Sequence, residues 1–286
     1  MAAAALHGTW NVLVKVSGDP IETFRRSTTV AAVVAAPLAG VGWLIAGHPF
    51  LTPGASALAA LSAALELAYL WLLAVAYERG EVSVVYPIAR GSAPLLAVLV
   101  GLGILGERLA PAQLVGVALL LLGILAVTLP QTSGRATLPA LLTGVAIAAY
   151  TAVDRVGVRL SAPWLYGWLL VTLLAIGLWV SIWLRSAVGY RRGSPTNPTE
   201  TKNGDPPSSP MAWRRAALIG VFMWTAYLLV LIALSIAPLS VVAPVREVSV
   251  VAVAVWGVWK LHERQAARMK LLGASATLVG VALLAF

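Results

Sequence analysis

The sequence predicts an all-α membrane protein, with ten transmembrane helices arranged as two inverted five-helix repeats around a central cavity. Three observations lead there. Of 286 residues, 60% are hydrophobic and only 11% are charged, against about 25% charged in a soluble domain. Apolar stretches near the ~20 residues needed to cross a bilayer recur along the whole chain. The second half also repeats the first: SVVYPIARGS at 83–92 returns as SVVAPVREVS at 240–249, and each copy is followed by a Glu-Arg pair (Glu107-Arg108, then Glu263-Arg264) and another apolar span. Five spans per half is an odd number, so the halves must lie in opposite orientations.

The spans read as 2–16, 23–46, 56–79, 81–105 and 111–129, then 137–158, 162–185, 212–236, 239–260 and 267–286. Ser17-Gly18-Asp19-Pro20, Gly47-His48-Pro49 and Leu129-Pro130-Gln131 carry the residues that end helices. Glu78-Arg79-Gly80-Glu81 makes a tight hairpin between the third and fourth spans. The first span is short, which calls for local thinning of the bilayer or a chain start upstream of Met1. Its MAAAALHGTWNVLVK lacks a charged n-region and a cleavage site, so it does not read as a signal peptide. Two repeat domains follow, 1–130 and 136–286, the second interrupted by a hydrophilic loop at 186–211. That loop holds RRGSPTNPTETKNGDPPSSP, too polar and proline-rich to bury a core, and is expected to be disordered.

A net charge of +9 would suggest nucleic acid in a soluble chain. Here the basic residues stand at the ends of apolar segments, which reads as topology and contact with lipid headgroups, with no nucleic-acid partner. Lys and Arg crowd the loops joining spans 1–2, 3–4, 5–6, 7–8 and 9–10, while the other face holds only Arg108, Arg155 and Arg159. Positive-inside counting therefore makes the 186–211 loop cytoplasmic and both termini external, in what would be a bacterial inner (plasma) membrane. Trp43, Trp164, Trp213 and Trp259 stand near span ends, as an interfacial belt requires. Gly116 with Gly123, and Gly273 with Gly280, flatten spans five and ten for close contact, within the chain or with a second copy in a homodimer.

Several chemistries drop out. Without cysteine there is no disulfide, thiolate metal site or thiol catalysis. GLGILG at 101–106 matches a dinucleotide-loop spacing but lies inside an apolar span, with no flanking strand. No His/Asp/Glu cluster has metal-ligand spacing, and His7, His48 and His262 stand in no catalytic motif. No cofactor, no metal and no enzyme activity is expected.

What remains is charge at depth. Arg90 and Arg246 lie eight to ten residues into their spans, so ~12–15 Å from the end at 1.5 Å per residue. A lone arginine there costs at least ~2.5 kcal/mol, so each needs a partner or water. Pro87 and Pro244 precede them and free backbone carbonyls that can line a cavity. The arginines could grip a carboxylate or phosphate bidentately, or close a salt bridge within the bundle; in the repeat alignment Glu247 falls opposite Arg90. Glu66 and Glu247 are the midmembrane carboxylates, candidates for proton coupling or for plain charge compensation. Trp10 and Asn11 belong to a first-span face expected to look into the bundle, and Tyr69, Tyr86, Tyr150 and Tyr227 are aromatics away from span ends that suit a cavity wall. Asp154 turns inward or toward a loop, while Arg155 is expected to snorkel to headgroups.

LHGTWNVLVK (6–15), VSVVYPIARGSAPLLAVLVGLGILGERLAPAQLVGVALLLLGILAV (82–127) and SVVAPVREVSVVAVAVWGVWKLHERQAARMKLLGASATLVGVALLAF (240–286) resemble an EamA-like transporter of the drug/metabolite transporter superfamily. The doubled "Gly-Glu-Arg, then Leu-x-Gly-Val" pattern carries the likeness, with His262 standing where the first copy has Gly106. The resemblance implies a ten-helix inverted-repeat carrier for small organic metabolites. It also implies cytoplasmic termini, against the charge count. Together these readings point to a secondary carrier of a small polar molecule, zwitterionic or anionic, working by alternating access. A flippase for a lipid-linked phosphate headgroup is the alternative, and an intramembrane enzyme a distant third.

Overall fold

A computed structural model describes residues 2–15, 20–79, 82–128, 134–191, 210–246 and 267–284. These residues form helices throughout: α1 (Ala2–Lys15), α2 (Pro20–Ile45), α3 (Pro53–Arg79), α4 (Val82–Gly103), α5 (Pro111–Thr128), α6 (Thr137–Gly157), α7 (Pro163–Arg191), α8 (Pro210–Ile236), α9 (Leu239–Arg246) and α10 (Ala267–Leu283). Proline opens α2, α3, α5, α7 and α8, where its missing N–H has no helical acceptor to lose and its fixed φ is already helical. Thr52 caps α3 by accepting from the Ala55 N–H at 3.1 Å.

Five stretches are long and apolar enough to cross a bilayer: Ile21–Ile45, Pro53–Ala76, Thr137–Gly157, Pro163–Ala187 and Trp213–Ile236. Ile88–Gly103 and Pro111–Ala126 are shorter apolar helices. Their outward sides stay apolar. Val33, Leu38, Val41 and Leu44 on α2, and Leu138, Leu141, Leu142 and Val145 on α6, are all exposed, which water would penalise and lipid does not. Three buried threonine hydroxyls bond within their own helices: Thr28 donates to the Phe24 carbonyl at 2.9 Å, Thr143 to Pro139 at 2.8 Å and Thr151 to Ile147 at 2.6 Å.

One large core joins α1–α4 to α6–α9. Within it α3 packs along α6 and α7, α2 along α7 and α8, α1 along α8, and α4 along α6 and α9. α5 and α10 form a separate pair around Leu120 and Ile124. Glycine sets that pair's closeness: a Cβ on Gly280 would lie 2.5 Å from the Gly116 carbonyl oxygen and 2.7 Å from the Leu120 nitrogen. Gly123 meets Thr277 and Gly273 in the same way. The flat faces anticipated from these glycines are therefore spent inside the chain.

Two expectations change. α7 continues through Arg191, into the stretch expected to be loop, because nothing in Arg185–Arg191 breaks a helix as firmly as the Pro195 beyond it. α8 likewise begins inside that stretch, at Pro210. Residues 192–209 and 247–266, with Glu247, Trp259 and Glu263 among them, lie outside the described residues.

Candidate functional site: an aromatic cavity with charge in its wall

Helical spacing builds the cavity from several directions. On α3, Glu66, Tyr69 and Leu70 share one face at i, i+3 and i+4; on α8, Tyr227 follows Met223 by four residues and Trp224 by three, which puts it on the side of both. Trp10 of α1, Phe24 and Thr28 of α2, Arg90 of α4, Tyr150 of α6 and Leu170, Val171 and Leu174 of α7 close the wall. Trp10 meets Phe24 edge-on, with ring centroids 6.1 Å apart, and Tyr69 meets Tyr150 at 6.0 Å. Among the described residues the wall is thus aromatic and apolar, with one cation (Arg90) and one carboxyl group (Glu66) lining the space.

Of the residues singled out by sequence, the fold brings Trp10, Glu66, Tyr69, Arg90, Tyr150 and Tyr227 together around this cavity. Arg246 stands behind the wall. Its Nη1 donates to Thr151 Oγ1 at 3.3 Å, and its guanidinium carbon lies 5.9 Å from the centre of the Tyr150 ring. Only 5% of Arg246 and 3% of Arg90 is exposed, so both are inside the protein. Glu247 and the side chains of Asn11 and Tyr86 lie outside the described residues.

Asp154 adjoins this group through Tyr227. It is fully buried, and Tyr166 donates its hydroxyl to Oδ1 at 2.9 Å while Tyr227 donates to Oδ2. Two phenols and the nearby Arg246 hold the carboxyl group below the cavity, and Tyr227 ties it to Glu66. The signal was available: Asp154 follows Tyr150 by four residues and so shares its helical face.

Arg155 corrects the expectation outright. Instead of reaching headgroups it is buried, 7% exposed, with Nε 3.4 Å from Glu107 Oε1 and Nη1 donating to the Leu234 carbonyl. Neighbouring side chains on a helix diverge by about 100°, so Asp154 serves the cavity floor while Arg155 serves the end of the bundle. Glu107, which sequence treated only as a repeat marker, is the centre of that end. Its Oε1 accepts from the Leu239 N–H at 2.6 Å; its Oε2 accepts from the Ser240 N–H at 2.9 Å and the Ser240 hydroxyl at 2.7 Å. Burial pushes the Glu107 carboxyl up, but the Ser240 and Leu239 donors and the Arg155 charge outweigh it, leaving it below the ordinary carboxylate range.

Known proteins place this architecture. Residues 1–129 match the EamA-like transporter family. A protein of known crystal structure, 17% identical, superposes on 99% of this chain and 93% of its own with a TM-score of 0.68, which shows the fold alone. No curated protein matches the chain.

Proposed function

We propose that this chain, whose residues 1–129 match the EamA-like transporter family, is a secondary active carrier of a small polar organic metabolite, zwitterionic or anionic. The observation that carries this reading is the pairing of Arg90 and Glu66 on one aromatic wall. A guanidinium suits the carboxylate or phosphate of a solute. The carboxyl group and the surrounding ring faces suit its ammonium. Glu66, joined through Tyr227 to Asp154, is then the group through which a proton exchanges as the solute binds and leaves.

Alternating access between two inverted five-helix halves is the motion this reading entails. The packing pattern supports it. Exchanging α1–α5 for α6–α10 turns the α3–α6 contact into α8–α1 and the α2–α8 contact into α7–α3, while α2–α7, α4–α9 and α5–α10 map onto themselves. Every one of those contacts is present. This reading takes repeat domains at 1–130 and 136–286.

The test is solute flux into proteoliposomes, screened over amino acids, phosphonates and small carboxylates. The carrier reading expects flux of at least one such solute, and in Arg90→Ala a loss of about 100-fold, the worth of two charge-assisted hydrogen bonds at about 1.5 kcal/mol each. Undiminished flux in a folded Arg90→Ala protein removes Arg90 from the site. Movement of lipid headgroups without solute flux overturns the carrier reading in favour of a flippase.

A further inference from the structure

We propose that Glu107 is a latch, clasping the first half of the chain to the second at one end of the bundle, and that it must release for the cavity to open there. The inference rests on the carrier reading above, since only a protein that rocks has a use for a clasp.

The turn after α4 is built to present this one side chain. Gly106 takes φ +64°, a left-handed conformation that glycine adopts without strain. The Glu107 N–H then folds back onto the Gly101 carbonyl at 2.9 Å, closing the helix end. Gly101 leaves the space the carboxylate needs: a Cβ there would lie 2.5 Å from Glu107 Oε2 and 3.2 Å from the Ser240 nitrogen. The carboxylate thus reaches the first two N–H groups of α9, where the positive end of a helix favours an anion.

Each side-chain partner of Glu107 described above lies in the second half of the chain. Leu239 and Ser240 begin α9, Arg155 ends α6, and Arg155 in turn holds the Leu234 carbonyl of α8. One carboxylate of the first half therefore gathers three helices of the second. Both of its oxygens are committed to these donors, so no ligand is needed to complete it. The clasp also adjoins the cavity at two points. Arg155 is next to Asp154, whose carboxyl group holds Tyr227 of the wall; α9, which Glu107 caps at its start, ends in Arg246 against Thr151. In a carrier, contacts that cross between the halves at one end have to break for that end to open. Residues spent this way position the halves and do not bind the solute.

The absence of native cysteine allows a direct reading. A cysteine replacing Val158, 3% exposed at the α6 terminus beside the clasp, reports opening through its reaction with a small water-borne thiol reagent. With no solute present, Glu107→Gln should speed that reaction about tenfold or more, since one hydrogen bond to a charged group is worth that much in an equilibrium. Ser240→Ala, which removes one donor, should speed it by less. A cysteine replacing Thr277, fully buried between α5 and α10 away from the clasp, should stay slow in both. An unchanged rate at position 158, in protein that elutes as wild type does, overturns the latch. Equal acceleration at 158 and 277 overturns it too, because the protein has then loosened everywhere. Neither result depends on flux, so failure of the latch and failure of the carrier reading are separately visible.

Discussion

Asp154 and Arg155 are neighbours on α6, and they belong to two regions that use charge in opposite ways. At the Glu107 end, a carboxylate is met by two backbone N–H groups, a hydroxyl and a guanidinium, all from the protein. At the cavity, Arg90 and Glu66 stand in a wall of Trp, Tyr and Phe and face space. A charge saturated by its own protein fixes geometry, and its desolvation is offset in full by fixed partners. A charged group that lines a cavity is within reach of whatever enters it. Asp154 stands between these extremes: it is saturated by two tyrosines, yet one of them, Tyr227, forms part of the wall.

Substitutions can break or sharpen this contrast. The largest effect on stability is expected at Asp154. Asp154→Ala removes one hydrogen bond from each of two tyrosine hydroxyls, which should cost about 1–3 kcal/mol and appear as a lower Tm in detergent. Flux should fall as well, because Tyr227 loses its anchor; a normal Tm with normal flux would remove Asp154 from both regions.

Next comes Glu107→Gln, at about 1 kcal/mol after allowance for solvent screening near the bundle end. Its pH dependence has a definite sign. The folded pKa of Glu107 lies below the unfolded value of about 4.3, so its contribution is complete above that value and is lost as pH falls through the lower, folded one. The cation that faces it is Arg155. The Tm gap between wild type and Glu107→Gln should therefore be constant from pH 8 to about 5 and narrow below about 4; a gap that changes between pH 6 and 8 would place another titrating group at the clasp. The KM of Glu107→Gln for a transported solute should stay within about twofold of wild type once its conformational shift is allowed for.

The smallest effect belongs to Arg185→Ala, which is part of neither region. It removes a guanidinium 3.4 Å from the centre of the Trp71 ring, worth about 0.5–1 kcal/mol at an exposed site, and should leave flux unchanged.

How much of this was legible in the sequence follows from range. Helical periodicity and hydropathy act over a few residues, so the apolar spans and the anomalous Arg90 and Glu66 within them stood out, as did the tyrosines on inward faces. Partners distant in the chain did not. Glu107 follows a glycine after an apolar span and reads as an ordinary loop carboxylate, because its acceptor role depends on backbone groups 132 and 133 residues away. Arg155 failed for the same reason: a terminal arginine may serve headgroups or an ion pair equally well by composition, and only the arrival of the α4–α5 turn decides. The position of Arg246 behind Tyr150 depends on how α9 crosses α6, which no local pattern encodes.

The central claim is that the solute occupies the aromatic cavity and no other part of the molecule. A cysteine replacing Met223, in the cavity wall on α8, tests it most directly, with the Val158 cysteine as the comparison. A transported solute at saturating concentration should slow thiol labelling at position 223 several-fold, and substituting Arg90→Ala in the same protein should abolish that protection. A solute that crosses the membrane while labelling at position 223 runs at its unprotected rate would contradict the account.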